Sequence, residues 1–194
     1  MKKSTVKTIV VMIFISVVLV GGYYLISTKE STQETNSVKT TEIEKILEKD
    51  LSNEYPVTVR EVIKLYSRIS KCLYNEELTD GEINQLVNQL RMLLDDELLE
   101  KNPLDEHLMN LKVEINSYKE KERTINDYLI DQSSAVRYYK QDGDNYATID
   151  VVYTMNEKSG KSESKERFVL REDQNGNWKI CGWKLEESVD IDTN

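Results

Sequence analysis

From Thr8 to Ile26 the chain carries no charged side chain and is almost wholly apolar. A helix rises ~1.5 Å per residue, so ~20 such residues cross a hydrocarbon core about 30 Å thick. A small domain buries an apolar stripe of a helix, not a whole apolar cylinder. Residues 8–26 are therefore expected to be a transmembrane anchor. Lys2, Lys3 and Lys7 precede the run, and only Lys29 follows closely, beside Glu30. Positive charge stays on the cytoplasmic side, so the N-terminus is expected inside and the chain after the anchor outside. A cleaved signal peptide is the alternative. It calls for a shorter apolar core, about 7–15 residues, and a small-x-small site. Val20-Gly21-Gly22 matches such a site poorly, and no cysteine before Cys72 is available to carry a lipid.

The layout expected from this start has four parts. Residues 1–28 are the cytoplasmic tail and anchor, and residues 29–41, rich in Ser and Thr, a flexible linker. Residues 42–186 form one folded domain, and residues 187–194 an acidic tail. Four of the 26 basic residues precede Glu30, so the remaining 22 face 35 acids, a net −13 beyond the anchor. That balance argues against a nucleic-acid partner, whose phosphates need a basic face. It leaves the membrane itself, through residues 8–26, and a membrane or envelope protein as expected partners. The chain has two cysteines and one histidine, with no metal-ligand spacing, no Gly-rich phosphate loop and no nucleophile-elbow motif. No metal and no cofactor are expected.

Beyond the linker, the apolar period is first helical and then alternating. Thr41 and Glu44 have capping-box spacing before a short helix ending near Leu51. Thr58 and Glu61 repeat the box, with Val57 and Val62 as a hydrophobic staple, before a helix from about Val59 to Asn75. Its stripe is Val59, Val62, Ile63, Tyr66, Ile69 and Leu73. Thr79 and Glu82 open a further helix, whose face Ile83, Leu86, Val87, Leu90, Leu93 and Leu94 extends through Leu98 and Leu99. Pro103 ends it by Asn102. A last helix is expected with Asn102 as its cap, Pro103 in its first position, and Leu104, Leu108, Leu111, Ile115 and Tyr118 on one face.

After Glu122 the period is that of strands. Thr124–Ile130, Ala135–Lys140, Tyr146–Met155, Arg167–Arg171 and Trp178–Leu185 are the expected strands, with turns at Asp142-Gly143 and Asn175-Gly176. Helices first and antiparallel strands last predict an α+β fold, about three amphipathic helices packed on a curved antiparallel sheet.

The closing stretch, Gly176-Asn177-Trp178-Lys179-Ile180-Cys181-Gly182-Trp183, resembles the final hairpin of the NTF2-like α+β cone superfamily. The whole chain also resembles an uncharacterised family of single-pass, membrane-anchored bacterial proteins, mainly clostridial, of unknown function. The stretches that carry this resemblance are Tyr55–Val62, Lys71–Glu77, Asn102-Pro103 and Trp178–Trp183. The resemblance implies a cone with space between helices and sheet, and a membrane address. It carries over no catalytic residue.

NTF2-like enzymes use a carboxylate or imidazole in an apolar cavity, with a pKa raised toward neutrality. The apolar face of the strand at Ala147–Met155 has no acid, and Asp150 belongs to its other face. Asp127 is the acid that a strand at Thr124–Ile130 can place inside, where burial would raise its pKa and suit it to proton transfer. His107 sits at the margin of its helix stripe without an evident partner. Asp95-Asp96-Glu97 reads as a solvated helix face. Tyr66, Tyr118, Tyr153 and Trp178 are the candidate ligand-binding residues, and the alternative is that these rings fill the core. Cys72 falls just outside its helix's apolar stripe, and Cys181 alternates away from Ile180; both are expected as free thiols. The function expected is a membrane-tethered extracytoplasmic binding or interaction domain. The alternatives are an NTF2-like isomerase or dehydratase acting on a small exported substrate, or a secreted soluble domain.

Overall fold

The computed structural model describes residues 41–158 and 160–191. The expected anchor at 8–26, its flanks, the linker up to Thr40 and the tip of the acidic tail lie outside the described residues. No helix among the described residues is long and apolar enough to cross a membrane.

Among the described residues the architecture is α+β: five α-helices, then a curved antiparallel sheet. The helices are α1 (Glu42–Leu47), α2 (Val59–Asn75), α3 (Asp80–Arg91), α4 (Asp96–Lys101) and α5 (Leu104–Glu120). The strands are β1 (Thr124–Ile130), β2 (Arg137–Gln141), β3 (Asp144–Glu157), β4 (Gly160–Glu172) and β5 (Trp178–Ile191). The sheet order is β1-β3-β4-β5, and β2 also pairs with β3. β1 pairs with the second half of β3 and β2 with the first, so the two lie end to end along one edge.

All three capping boxes form, at Thr41/Glu44, Thr58/Glu61 and Thr79/Glu82. In each the threonine oxygen accepts from the backbone N–H three residues on, and the glutamate accepts from the threonine N–H. α2 is the central helix, packed against α1, α3, α5 and the sheet. Leu65, Ser67, Ser70 and Cys72 are therefore buried along with the predicted stripe, of which Tyr66 alone is half-buried. This corrects the placing of Cys72 outside the apolar face: a helix with neighbours on several sides has no solvent margin there. At its end, Asn75 accepts from the Ile125 N–H at 2.8 Å and donates to the Ile125 carbonyl at 2.8 Å, pinning β1 to the helix.

The third predicted helix breaks in two. α3 ends at Arg91, and Leu94 forms a parallel bridge with Ile180 of β5. The Ile180 N–H donates to Leu93 O at 2.8 Å, and the Asp95 N–H donates to Ile180 O at 2.9 Å. Those bonds to a distant strand replace helical ones, while Leu93 and Leu94 stay in the core. Helical periodicity has no way to register the exchange. Asp95 then caps α4, accepting from the Glu97 N–H at 3.0 Å. Asp95 is only 5% exposed, so Asp95-Asp96-Glu97 is not a solvated face throughout; Asp95 belongs to the interior. α5 begins at Leu104, one residue later than predicted. Pro103 holds the cap position without a side-chain bond, and the Asn102 amide instead donates to Leu98 O at 2.8 Å.

Asp142 and Gly143 are the two loop residues between β2 and β3, both at positive φ, as a tight hairpin turn requires. β4 begins at Gly160, well before the predicted Arg167, and β5 runs on to Ile191, into the stretch predicted as a tail.

Candidate functional site: an aromatic cleft beneath the helices

The concave face of the sheet is read from its cross-strand pairs. Ala147/Leu170, Ile149/Phe168, Val151/Glu166, Tyr153/Ser164 and Met155/Ser162 are opposite each other on β3 and β4. The first two pairs are wholly apolar and pack under α2. From Glu166 outward, β4 contributes polar side chains to the same face. A cleft of about 130 Å³ lies there. α2 lines it with Tyr66, Ser70 and Tyr74, and α5 with Glu114 and Tyr118. Ile125 of β1, Tyr153 and Met155 of β3, Ser164 and Glu166 of β4, and Trp183 of β5 complete the lining.

Trp183 reaches this face through a break in alternation. Val169 pairs with Gly182 and Leu170 with Ile180, leaving Cys181 as the extra residue of a β-bulge. Without the bulge, Trp183 would project to the face opposite Ile180. With it, Trp183 packs on Phe168 and Tyr66, at 5.8 and 5.6 Å between ring centres, and remains 46% exposed at the mouth. Tyr66 also meets Phe168 edge-on at 5.3 Å. Tyr74 and Tyr118 stack at 4.4 Å, and Arg123 lies over the Tyr118 ring at 5.3 Å. The Tyr153 and Ser67 hydroxyls share a hydrogen bond of 2.8 Å.

Glu166 is the chemically distinctive group. Burial, with the nearby Glu114 carboxylate, pushes its carboxyl up to about 7. No cation opposes that shift among the described residues. Burial likewise raises the hydroxyls of Tyr66, Tyr74 and Tyr153 well above the ordinary tyrosine range. The aromatic walls are thus neutral, and two acids face the cleft, Glu114 and Glu166, the second poised between its two states.

Of the four candidate ligand residues, the structure brings Tyr66, Tyr118 and Tyr153 together. Trp178 lies elsewhere: it packs against Tyr138 at 5.5 Å, and its carbonyl accepts from the Tyr55 hydroxyl at 2.9 Å. Asp127 is exposed, beside a register shift in β1, and does not enter the cleft. Asp150 is on the outer face as expected. There Arg167 donates to it at 2.7 and 2.9 Å and Lys165 pairs with it at 2.9 Å. These partners hold its carboxyl down to about 2. His107 does have a partner, Arg91, whose Nη1 is 3.2 Å from its Nδ1. Burial, then the Arg91 charge, lowers its pKa. Cys72 and Cys181 are free, and burial raises both thiols, to about 11 and about 12, so neither is an activated nucleophile.

Tyr74, Glu114, Ser164, Glu166 and Trp183 escaped prediction. Tyr66-Ser70-Tyr74 at spacing four was a legible sign of one helix face. Ser162-Ser164-Glu166 alternates in step with Phe168 and Leu170, which was the available sign that a polar row continues an apolar one.

A family model, Domain of unknown function (DUF6715), matches residues 1–183. The chain belongs to the DUF6715 family. No curated protein matches it. The match takes in the apolar run at 8–26 and all the DUF6715 residues that line the cleft, ending on Trp183 itself.

Proposed function

We propose that this protein is a membrane-tethered domain displayed outside the cytoplasmic membrane, an NTF2-like cone that binds a ligand in its aromatic cleft. The tether and its orientation rest on the uncharged run at 8–26 and the lysines before it. The cone reading draws on the helical layer over a curved antiparallel sheet and on the cleft between them. The observation that carries binding is Glu166. A carboxylate partly buried in an aromatic cleft, with no ion-pair partner among the described residues, costs stability and gives the core nothing in return. Rings that only filled a core would have no use for it.

Protease added to wall-stripped cells is expected to remove the domain, and protection until the membrane is broken would overturn the orientation. Native mass spectrometry of the full chain, released from its own membranes in mild detergent, tests the cleft. Wild type is expected to carry a small molecule that Ser164→Phe, which fills the cleft, does not. Equal masses after subtracting the substitution would count against binding there.

A second reading, an enzyme of the isomerase or dehydratase kind, is favoured by the same residue. A carboxyl near neutrality is suited to move a proton. It would require turnover of a small carbonyl or hydroxy compound that Glu166→Gln abolishes in a folded protein.

A further inference from the structure

We propose that the ligand of the cleft is a small organic ammonium ion, its cation seated at Glu166 between Tyr66, Tyr153 and Trp183. This inference rests on the binding reading above and adds the chemical class.

The charges select the sign. Glu166 faces the cleft from β4 and Glu114 from α5, and no lysine or arginine among the described residues lines it. Arg123, which lies over the Tyr118 ring, is engaged by Glu157 at 2.8 Å. Lys165, next to Glu166 in sequence, is on the outer face with Asp150. An anion would meet two carboxylates and no counter-charge.

The walls select an organic cation over a metal ion. Aromatic faces carry negative quadrupoles and hold ammonium groups within about 6 Å of a ring centre, and the attraction grows when water is excluded. Tyr66 and Trp183 make adjoining walls here, at 5.6 Å between centres. A hard metal ion instead needs about six or more oxygen ligands. Among the described residues no three acid, histidine or cysteine side chains converge to supply them.

The volume selects a small head group. About 130 Å³ is close to the cavity of roughly 150 Å³ that takes a benzene-sized molecule. A methylated ammonium fits that space, while the half-exposed Trp183 leaves a mouth through which a tail can extend.

Binding also couples to protonation. An ammonium favours the ionised carboxylate, so it displaces the proton that burial and Glu114 keep on Glu166. The other titratable groups facing Glu166 are Tyr66 and Tyr74 of α2, Tyr118 of α5 and Tyr153 of β3. All have raised pKa values and stay neutral.

The test is calorimetric titration of the full chain in detergent, at constant ionic strength, with methylammonium, tetramethylammonium and choline. The neutral control is 3,3-dimethylbutan-1-ol, which replaces choline's charged nitrogen by carbon. At least one ammonium ion is expected to bind saturably, and about tenfold or more tighter than the alcohol. At pH 6 its binding is expected to release protons to the buffer. Glu166→Gln should lose about tenfold or more in affinity while unfolding no earlier than wild type at pH 8. Competition by phosphatidylcholine vesicles would make the source a lipid head group, and its lack a soluble amine; either outcome supports the class. Equal binding of choline and the alcohol overturns it, as does unchanged affinity in Glu166→Gln. Failure of every ammonium ion overturns it too, and a small molecule still retained in the mass-spectrometric experiment would then leave the binding reading standing.

Discussion

Arg171 grips the buried carboxylate of Asp95 with two parallel bonds, Nη2 to Oδ1 at 2.7 Å and Nε to Oδ2 at 3.1 Å. The remaining nitrogen donates to Glu97 at 2.9 Å. The pair ties the start of α4 to β4, and Asp95 caps the helix with the same oxygen. Removing Arg171 would strand the buried Asp95 charge, whereas removing Asp95 leaves Arg171 partly exposed and still paired with Glu97 and Asp144. Asp95→Ala is expected to cost about 2 kcal/mol in chemical denaturation, through the lost charged hydrogen bonds and the lost cap. Glu97→Ala, at an exposed position, is expected to cost no more than about 0.5 kcal/mol.

The box at the start of α2 gives a second expectation. The Glu61 N–H donates to Thr58 Oγ1 at 3.2 Å, and the Thr58 N–H donates to Glu61 Oε2 at 3.1 Å. Thr58→Ala should lower stability by ~1 kcal/mol. An unchanged urea midpoint would mean the cap contributes nothing.

Glu166 makes stability depend on pH in a definite direction. Its carboxyl is raised from 4.5 to about 7 on folding, so the native state binds a proton that the unfolded state has already released. Stability from this group is full below about pH 4.5 and is lost as pH rises through about 7. Allowing for partial exposure, the loss is on the order of 2 kcal/mol. Glu166→Gln should flatten that part of the profile and be the more stable protein at pH 8. Parallel profiles for the two proteins would show that the carboxyl titrates normally.

The thiols are expected to be slow. With Cys72 and Cys181 raised to about 11 and about 12, little thiolate is present at pH 8. Iodoacetamide should modify the native protein far more slowly than the urea-unfolded one. Unfolded without reductant, it should take up two labels. No uptake would reveal a disulfide.

Local chemistry was legible in the sequence. The boxes at Thr58/Glu61 and Thr79/Glu82 need only residues three apart, and β1 occupies the predicted Thr124–Ile130. What depends on distant partners was not. Asp95 reads as one of a run of surface acids until Arg171 is placed against it. The break after Arg91 reads as continuous helix until Ile180 offers its backbone. In the cleft, Tyr66, Tyr118 and Tyr153 follow from their apolar stripes. Glu166 was hidden because a strand whose inner face turns polar loses its alternation signal, and Trp183 because one bulged residue reverses the parity of everything after it.

The clasp between Leu94 and Ile180 opposes the order of synthesis to the order of assembly. The helices leave the ribosome first, yet the Leu93 carbonyl and the Asp95 N–H, between α3 and α4, find their backbone partner only in Ile180 of the last strand. Nascent chains stalled before Trp178 emerges should remain open to protease across Leu93–Asp95, and chains released after Ile191 should become resistant there. A domain that stays loose until its final strand arrives is also one that can be threaded through a membrane channel, which the proposed location demands of it.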